Sequence, residues 1–363
     1  MIPLYKPYMP DLPELDAILH SGQLAYGEYS RKFEDAINRF LGNEQDHVLV
    51  TNSFNMAIEV ATSLLDIHSG DEVIASPMAC LASTQPFASQ DIHIHWADID
   101  PATGTLSPDS VERAITPKTK AIVHNHFCGY PGYIEEVNAI GHKYGIPVID
   151  DGIECFGSEY KGKKIGNCGT DITIFSFSAV RFPTTIDGGA LVIRDSDLAK
   201  KALLIRDCGI DRSVFRDELG EISHLCDINL KGHSATMSNV NAYIGIEQMA
   251  YAEDVIEKQR RQAAVWKKEF ETRKETVIGR PETSPNYWVF GVLARDKRAF
   301  IQEFRQKGWY ASGVHINNNI YSIFGKEKTL PGVEEFYSKF VALPCGWWVE
   351  EMQDAQEVER RQI

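Results

Sequence analysis

The chain has no CxxC pair, no excess of basic residues and no apolar run near the roughly 18 residues of a membrane span. Each absence excludes something. Its seven cysteines, at 80, 128, 155, 168, 208, 226 and 345, are scattered and odd in number. Reduced thiols in a cytoplasmic protein are therefore expected, rather than a disulfide framework or a spaced metal site. The formal net charge of -14 runs against a nucleic-acid groove, which needs a clustered basic face. The opening MIPLYKPYMPDLPEL lacks the basic start and apolar core of a secretion signal. No internal repeat or low-complexity segment is visible.

What is present suits a globular chain. Hydrophobic residues make up 43% and charged residues 24% of 363 positions, enough for a sizeable core. The expected partition is a large domain over residues 1–245, then a linking helix and smaller domain over 246–363. The first 195 residues repeat strand, loop and helix. Strands are expected at 48–50, 72–76, 92–96, 121–123, 146–149, 171–177 and 190–193, and helices at 12–21, 29–41, 56–65, 81–90, 107–115 and 134–144. This alternation predicts parallel βαβ units, and the low polarity of the strands fits a sheet covered on both faces. Residues 206–234 have no firm period, and 238–270 reads as one long polar-faced helix. The rest reads as an α+β tail with strands at 287–293 and 311–315 and helices at 297–307 and 332–340. Lys161 to Lys164 reads as a solvated hairpin, and Trp347 and Trp348 as core packing.

The stretch from Val148 to Val192 concentrates the chemistry. One apolar strand runs into Asp150 and Asp151, and the next ends in Ser176-Phe177-Ser178 before a turn at Arg181. In an open α/β sheet, polar groups at the carboxyl ends of neighbouring strands converge on one crevice. Asp151, Glu154, Ser176, Ser178 and Arg181 are therefore candidates for a single pocket, and an ordinary ion pair at a strand end is the alternative. The Arg181 guanidinium is predicted to reach Asp151, Glu154 or an anion near Ser176. Thr51 to Asn55, between a strand and a helix, could cradle an anion on free N–H groups or simply cap the helix. His93 with His95, and His124 with His126, share strand faces and could chelate, but a structural or solvated role is expected and no metal is assigned.

Several segments carry a resemblance. YGEYSRKFEDAINRFLG, the run from IDPATGTLSPDSVERAI to IDDGIECFGSEYKGKKIG, MSNVNAYIGIEQM and LPGVEEFYSKFVALP occur in the order found in one family. The chain resembles the DegT–StrS family of sugar-nucleotide aminotransferases, pyridoxal-phosphate enzymes of fold type I. The resemblance implies a mainly parallel sheet sandwiched by helices, with a smaller α+β C-terminal domain. It also implies a cytoplasmic homodimer, or a heterodimer with a paralogue, acting on a nucleotide-sugar small molecule.

Carried over position by position, Asp151 matches the aspartate that pairs with the cofactor ring nitrogen, and Ser176 the serine that binds its phosphate. Other positions depart. The family's SFHxxK reads SFSAVR, placing Arg181 where the Schiff-base lysine stands. Arginine keeps its proton at any working pH and cannot form that imine. Phe54 and Asn55 replace the Gly-Thr of the phosphate cup, and Cys80 replaces the stacking aromatic. Ser234 replaces the cross-subunit asparagine, and Glu154 the usual Gln or His. His315 and Asn317 fall in the substrate-side segment, where a plain polar turn is the other reading.

Lysine-based transamination is therefore expected to be lost. The favoured expectation is binding or modification of a nucleotide-sugar without covalent pyridoxal phosphate. A lysine-independent pyridoxamine-phosphate enzyme, dehydratase-like, is a second reading; Glu154 would then supply the base and Arg181 stabilise charge. A non-catalytic or regulatory partner of an active paralogue is a third.

Overall fold

Strands that are apolar on both faces must be covered on both, and the first two hundred residues are built around that requirement. In the computed structural model, which describes residues 1–43, 47–325 and 329–350, they form one seven-stranded sheet. Its strands are β1 (Val48–Thr51), β2 (Glu72–Ala75), β3 (His93–Trp96), β4 (Thr119–Asn125), β5 (Val148–Gly152), β8 (Ile172–Ser176) and β9 (Gly189–Ile193). Between β5 and β8 lies a small hairpin of β6 (Glu159–Tyr160) and β7 (Lys163–Lys164), as expected. The spatial order is β1-β9-β8-β5-β4-β2-β3. From β8 to β3 all neighbours are parallel, and β9 alone runs against both of its neighbours.

Helices cover the two faces: α1 (Leu15–His20), α2 (Glu28–Leu41), α3 (Phe54–Leu64), α4 (Leu81–Ser89), α5 (Pro108–Ala114), α6 (Ile134–Tyr144) and α7 (Ser196–Arg206). Alternation along the strands sorts the core. Val48 and Val50 face α2 with Phe33 and Ile37, while Leu49, between them, packs with Phe54 and Ile58 of α3. Helix α7 had no place in the periodicity reading. Its buried Ala199, Ala202 and Ile205 make a weak apolar stripe, and the Asp195 cap accepting the Asp197 and Leu198 N–H groups was its clearest signal.

The C-terminal part departs from expectation in two places. Residues 238–270 form two helices, α8 (Asn239–Met249) and α9 (Ala252–Phe270), not one. The N-terminal arm crosses at the joint: Gln248 Nε2 donates to the Tyr8 carbonyl at 2.6 Å, and Tyr251 packs on the Tyr8 ring. A second sheet holds β10 (Thr276–Val277), β12 (Phe290–Leu293) and β13 (Phe340–Leu343), β11 (Thr283–Ser284) having joined the β6 hairpin. Helices α10 (Lys297–Gln306) and α11 (Pro331–Lys339) complete this part. Residues 311–315, expected as a strand, make one bridge, Ser312 with Ala342. Val314 in the left-handed region, φ 59°, then turns the chain and frees His315 from any ladder. Trp348 is fully buried, and no described helix is long and apolar enough to cross a membrane.

Adjacent aspartates of β5 point to opposite sides, and Asp150 takes the structural role. His124 Nδ1 lies 3.1 Å from its Oδ1, Thr170 donates to Oδ2 at 2.6 Å, and His126 Nε2 is 3.4 Å away, all four residues buried. Gly132 N–H donates to His126 Nδ1, and a side chain at Gly132 would strike His124 Nε2 at 2.3 Å. The carboxylate that the sequence did not place beside this histidine pair comes from the neighbouring strand. Burial would raise the Asp150 pKa, but the two histidines hold it well below the ordinary carboxylate value; burial depresses His124.

Both shifts mean that the unfolded chain binds more protons than the folded one. Stability is full above the ordinary histidine pKa of about 6.5 and is lost on acidification, first through His124 and then, below about 4, through Asp150. Urea midpoints measured from pH 7.5 to 3.5 should fall in those two ranges. Asp150→Asn should cost about 1–3 kcal/mol at neutral pH.

Candidate active site

Topology makes the crevice. Strands β4, β5 and β8 are parallel neighbours, so Asn125, Asp151 and Ser176 at their carboxyl ends lie along one edge. Asp151 is buried; Asn125 Nδ2 donates to its Oδ2 at 2.8 Å and the Ile153 N–H to its Oδ1 at 3.2 Å. No cation pairs with it among the described residues, and burial raises its pKa despite these donors. Ser176 Oγ is near Ser178, 3.4 Å from its hydroxyl.

Arg181 sits in the turn after β8, its N–H donating to the Ser178 carbonyl at 2.9 Å. Its side chain is turned into the protein. The guanidinium lies 4.6 Å over the Trp288 ring, and Nη2 is 3.4 Å from Glu154 Oε1, as predicted from the sequence. Tyr5 of the N-terminal arm donates to the Arg181 carbonyl, and Trp288 Nε1 donates to the Val180 carbonyl at 3.0 Å. Arg181 Nε has no hydrogen-bond partner among the described residues. Glu154, Ser176, Arg181, Gln259, Asn286 and Trp288 close on a cavity of about 10 Å³, room for about one water.

Glu154 is the hub. Its Oε1 also accepts from His315 Nε2 at 2.8 Å, and its Oε2 accepts from the Cys128 N–H at 2.8 Å. Burial would raise its pKa, but His315 and Arg181 together outweigh that and hold it below the usual carboxylate value. Cys128 has φ 53°, a left-handed conformation that costs energy in a non-glycine residue and aims its N–H at Glu154. Its thiol is buried and pushed well up, first by burial and then by Glu154. Cys80, half-buried at the start of α4, is also raised by burial and by Glu154. The ligand atoms of Cys128, Glu154 and His315 lie within 4.8 Å of one another. The guanidinium against that carboxylate already supplies the positive charge a metal would bring.

Other expected residues lie apart from this knot. Phe54 is buried in the core beneath α3, and Asn55 is exposed in its first turn. Ser53 Oγ accepts the Met56 N–H as a helix cap. Ser234 is exposed, with its carbonyl accepting from Asn52 Nδ2 at 3.0 Å, so it stands beside the turn at residues 51–55. Asn317 donates to Asn319 within its own loop. Asn318 anchors that loop on Ala79 and Thr84 next to Cys80. The sequence reading missed Cys128, Trp288 and Asn125. Asn125 and Cys128 follow from the strand-end rule applied to β4, whereas Trp288 has no local signal.

Removing one partner from a buried ion pair strands the other's charge. Arg181→Met should destabilise the chain by about 3–5 kcal/mol. Combined with Glu154→Gln it should recover about 1–3 kcal/mol of that loss. Denaturant midpoints for the four members of the cycle measure both.

Comparison with known proteins agrees with this architecture. The chain is 30% identical to AtS13 from Actinomadura melliaura, covering 96% of this chain and 94% of that one with a TM-score of 0.89. The sugar aminotransferase CalS13 from Micromonospora echinospora is 28% identical over 99% of this chain and 98% of that one, also at 0.89. The uncharacterized protein MJ1066 of Methanocaldococcus jannaschii is 28% identical over 358 residues, 94% of this chain and 92% of its own length. The model of the DegT/DnrJ/EryC1/StrS aminotransferase family matches residues 10–359, and the chain belongs to that family.

Proposed function

We propose that this protein binds a nucleotide-sugar in the crevice above Asp151 and acts on it without a covalently held pyridoxal phosphate. The observation that carries the reading is Arg181. A lysine there would be free to lose its proton and attack a carbonyl. The guanidinium instead is inward, seated on Trp288 and against Glu154, with 6% of the side chain exposed. The family's cofactor therefore does not fit as a covalent adduct. The cup is altered as well: Ser53 already caps α3, and Phe54 belongs to the core.

One observation favours the second reading, a pyridoxamine-phosphate enzyme that needs no lysine. Asp151 is a buried carboxylate without a cation, and a protonated ring nitrogen would supply one. The nucleotide-sugar assignment takes support from the family and from the named sugar aminotransferase. The exposed Val214, Leu219, Ile222, Leu225 and Ile228 support a dimer in which residues 206–240 meet a second copy, identical or paralogous.

Added pyridoxal phosphate should give the purified protein no imine absorbance that borohydride fixes. A stable imine at stoichiometric cofactor would overturn the reading. Arg181→Lys alone should not restore that band, because the altered cup remains. Saturating pyridoxamine phosphate raises the melting temperature only if the second reading holds.

A further inference from the structure

The crevice holds five ionisable side chains besides Arg181, and their surroundings separate them. Asp151 has donors on both oxygens and is 3% exposed. Glu154, which the pyridoxamine-phosphate reading would use as base, is 2% exposed at its side chain and has both oxygens taken. Its depressed pKa makes it a worse proton acceptor still. The thiols of Cys80 and Cys128 are raised by burial and stay protonated. Arg181 does not give up its proton. His315 differs from all of these.

Because Glu154 is ionised it can only accept, so the proton of the 2.8 Å contact belongs to His315 Nε2. In the neutral ring that leaves the Nδ1 lone pair free, and no described residue bonds it. His315 is also the most open member of the knot, 15% exposed against 2% for Glu154 and 6% for Arg181. The ring lies nearly parallel to Trp288, at 11° and 6.5 Å, with its edge to Phe127. A buried carboxylate that fixes an imidazole's tautomer and orientation is the arrangement that makes histidine a directed base. The residues facing it are Glu154, Arg181 and Cys128. Arg181 cancels the Glu154 charge beforehand, so a proton arriving on His315 leaves the knot with one net positive charge.

We propose that His315 is the proton-transfer base of the crevice and that Glu154 is its positioning residue. This rests on the nucleotide-sugar reading above. Taking the keto-sugar of the family as the substrate, the carbonyl is the group that accepts the electron pair when the imidazole removes a proton from the neighbouring carbon. His315 Nδ1 takes that proton; the C–H pair becomes the C=C bond of an enolate, and the carbonyl π pair moves to oxygen. Return of a proton or, after exchange with solvent, a deuteron from the imidazolium to the same face of that carbon restores the ketone. Nothing is oxidised or reduced. Hydrogen exchange beside the carbonyl is the outcome.

The test uses a nucleoside-diphosphate 4-ketosugar incubated with the full chain in D2O, with deuterium uptake read by mass spectrometry and binding by calorimetry. The expected result is uptake at the carbon beside the ketone, slowed by about 100-fold or more in His315→Gln and Glu154→Gln while both still bind the sugar. Nitrogen-15 spectra of the wild-type imidazole should show Nε2 protonated and Nδ1 bare, while the loss of uptake with binding retained is what a merely structural contact would not produce. Binding without uptake, or uptake unchanged in His315→Gln, overturns the base assignment and leaves the binding proposal standing. An Nδ1-protonated ring overturns it without any substrate. If the sugar does not bind, the nucleotide-sugar reading falls and this assignment with it.

Discussion

Everything around the crevice depends on one buried carboxylate. A charge at Glu154 is tolerable in the interior only because three donors meet it: the Cys128 N–H, the His315 imidazole and the Arg181 guanidinium. They come from the loop after β4, the loop after Val314 and the turn after β8. The same carboxylate therefore ties the C-terminal part to the central sheet and holds the His315 and Arg181 side chains in place. It also explains the direction of Arg181, since a long cation near an unpaired buried anion does best by turning inward.

The two aspartates of β5 divide labour through strand geometry. Successive residues face opposite sides of the sheet. Asp150 enters a sealed knot with His124, His126 and Thr170, while Asp151 faces the crevice with an amide partner and no cation. Their pKa values move apart for that reason, depressed in one and raised in the other. Adjacent identical residues thus meet two different environments, a sealed polar knot and an open crevice.

Relative to its family the chain keeps the frame and exchanges the reagent. The parallel strand edge carries Asp151 and Ser176, and on the proposed reading Arg181, a permanent cation paired with Glu154, stands where the family has a reactive amine. In the reading proposed above, His315 takes the part of accessible proton acceptor. The family relationship therefore constrains the pocket more tightly than it constrains the reaction.

Sequence alone determined the mainly parallel sheet, because apolar strands separated by helices admit few arrangements, and it placed Arg181 within reach of Glu154. Strand-end convergence needs only the order of elements. It also marked Arg181 as unable to form an imine, a property of the guanidinium in any fold. Only the tertiary structure decided that Trp288 would lie under that guanidinium, more than a hundred residues along the chain, and that His315 would leave its expected strand. It alone broke the helix at Ala250–Tyr251, where the N-terminal arm crosses. These are long-range contacts with no local period, so the choice among Glu154, Cys128 and His315 as the open base could be made only from burial and hydrogen-bond partners.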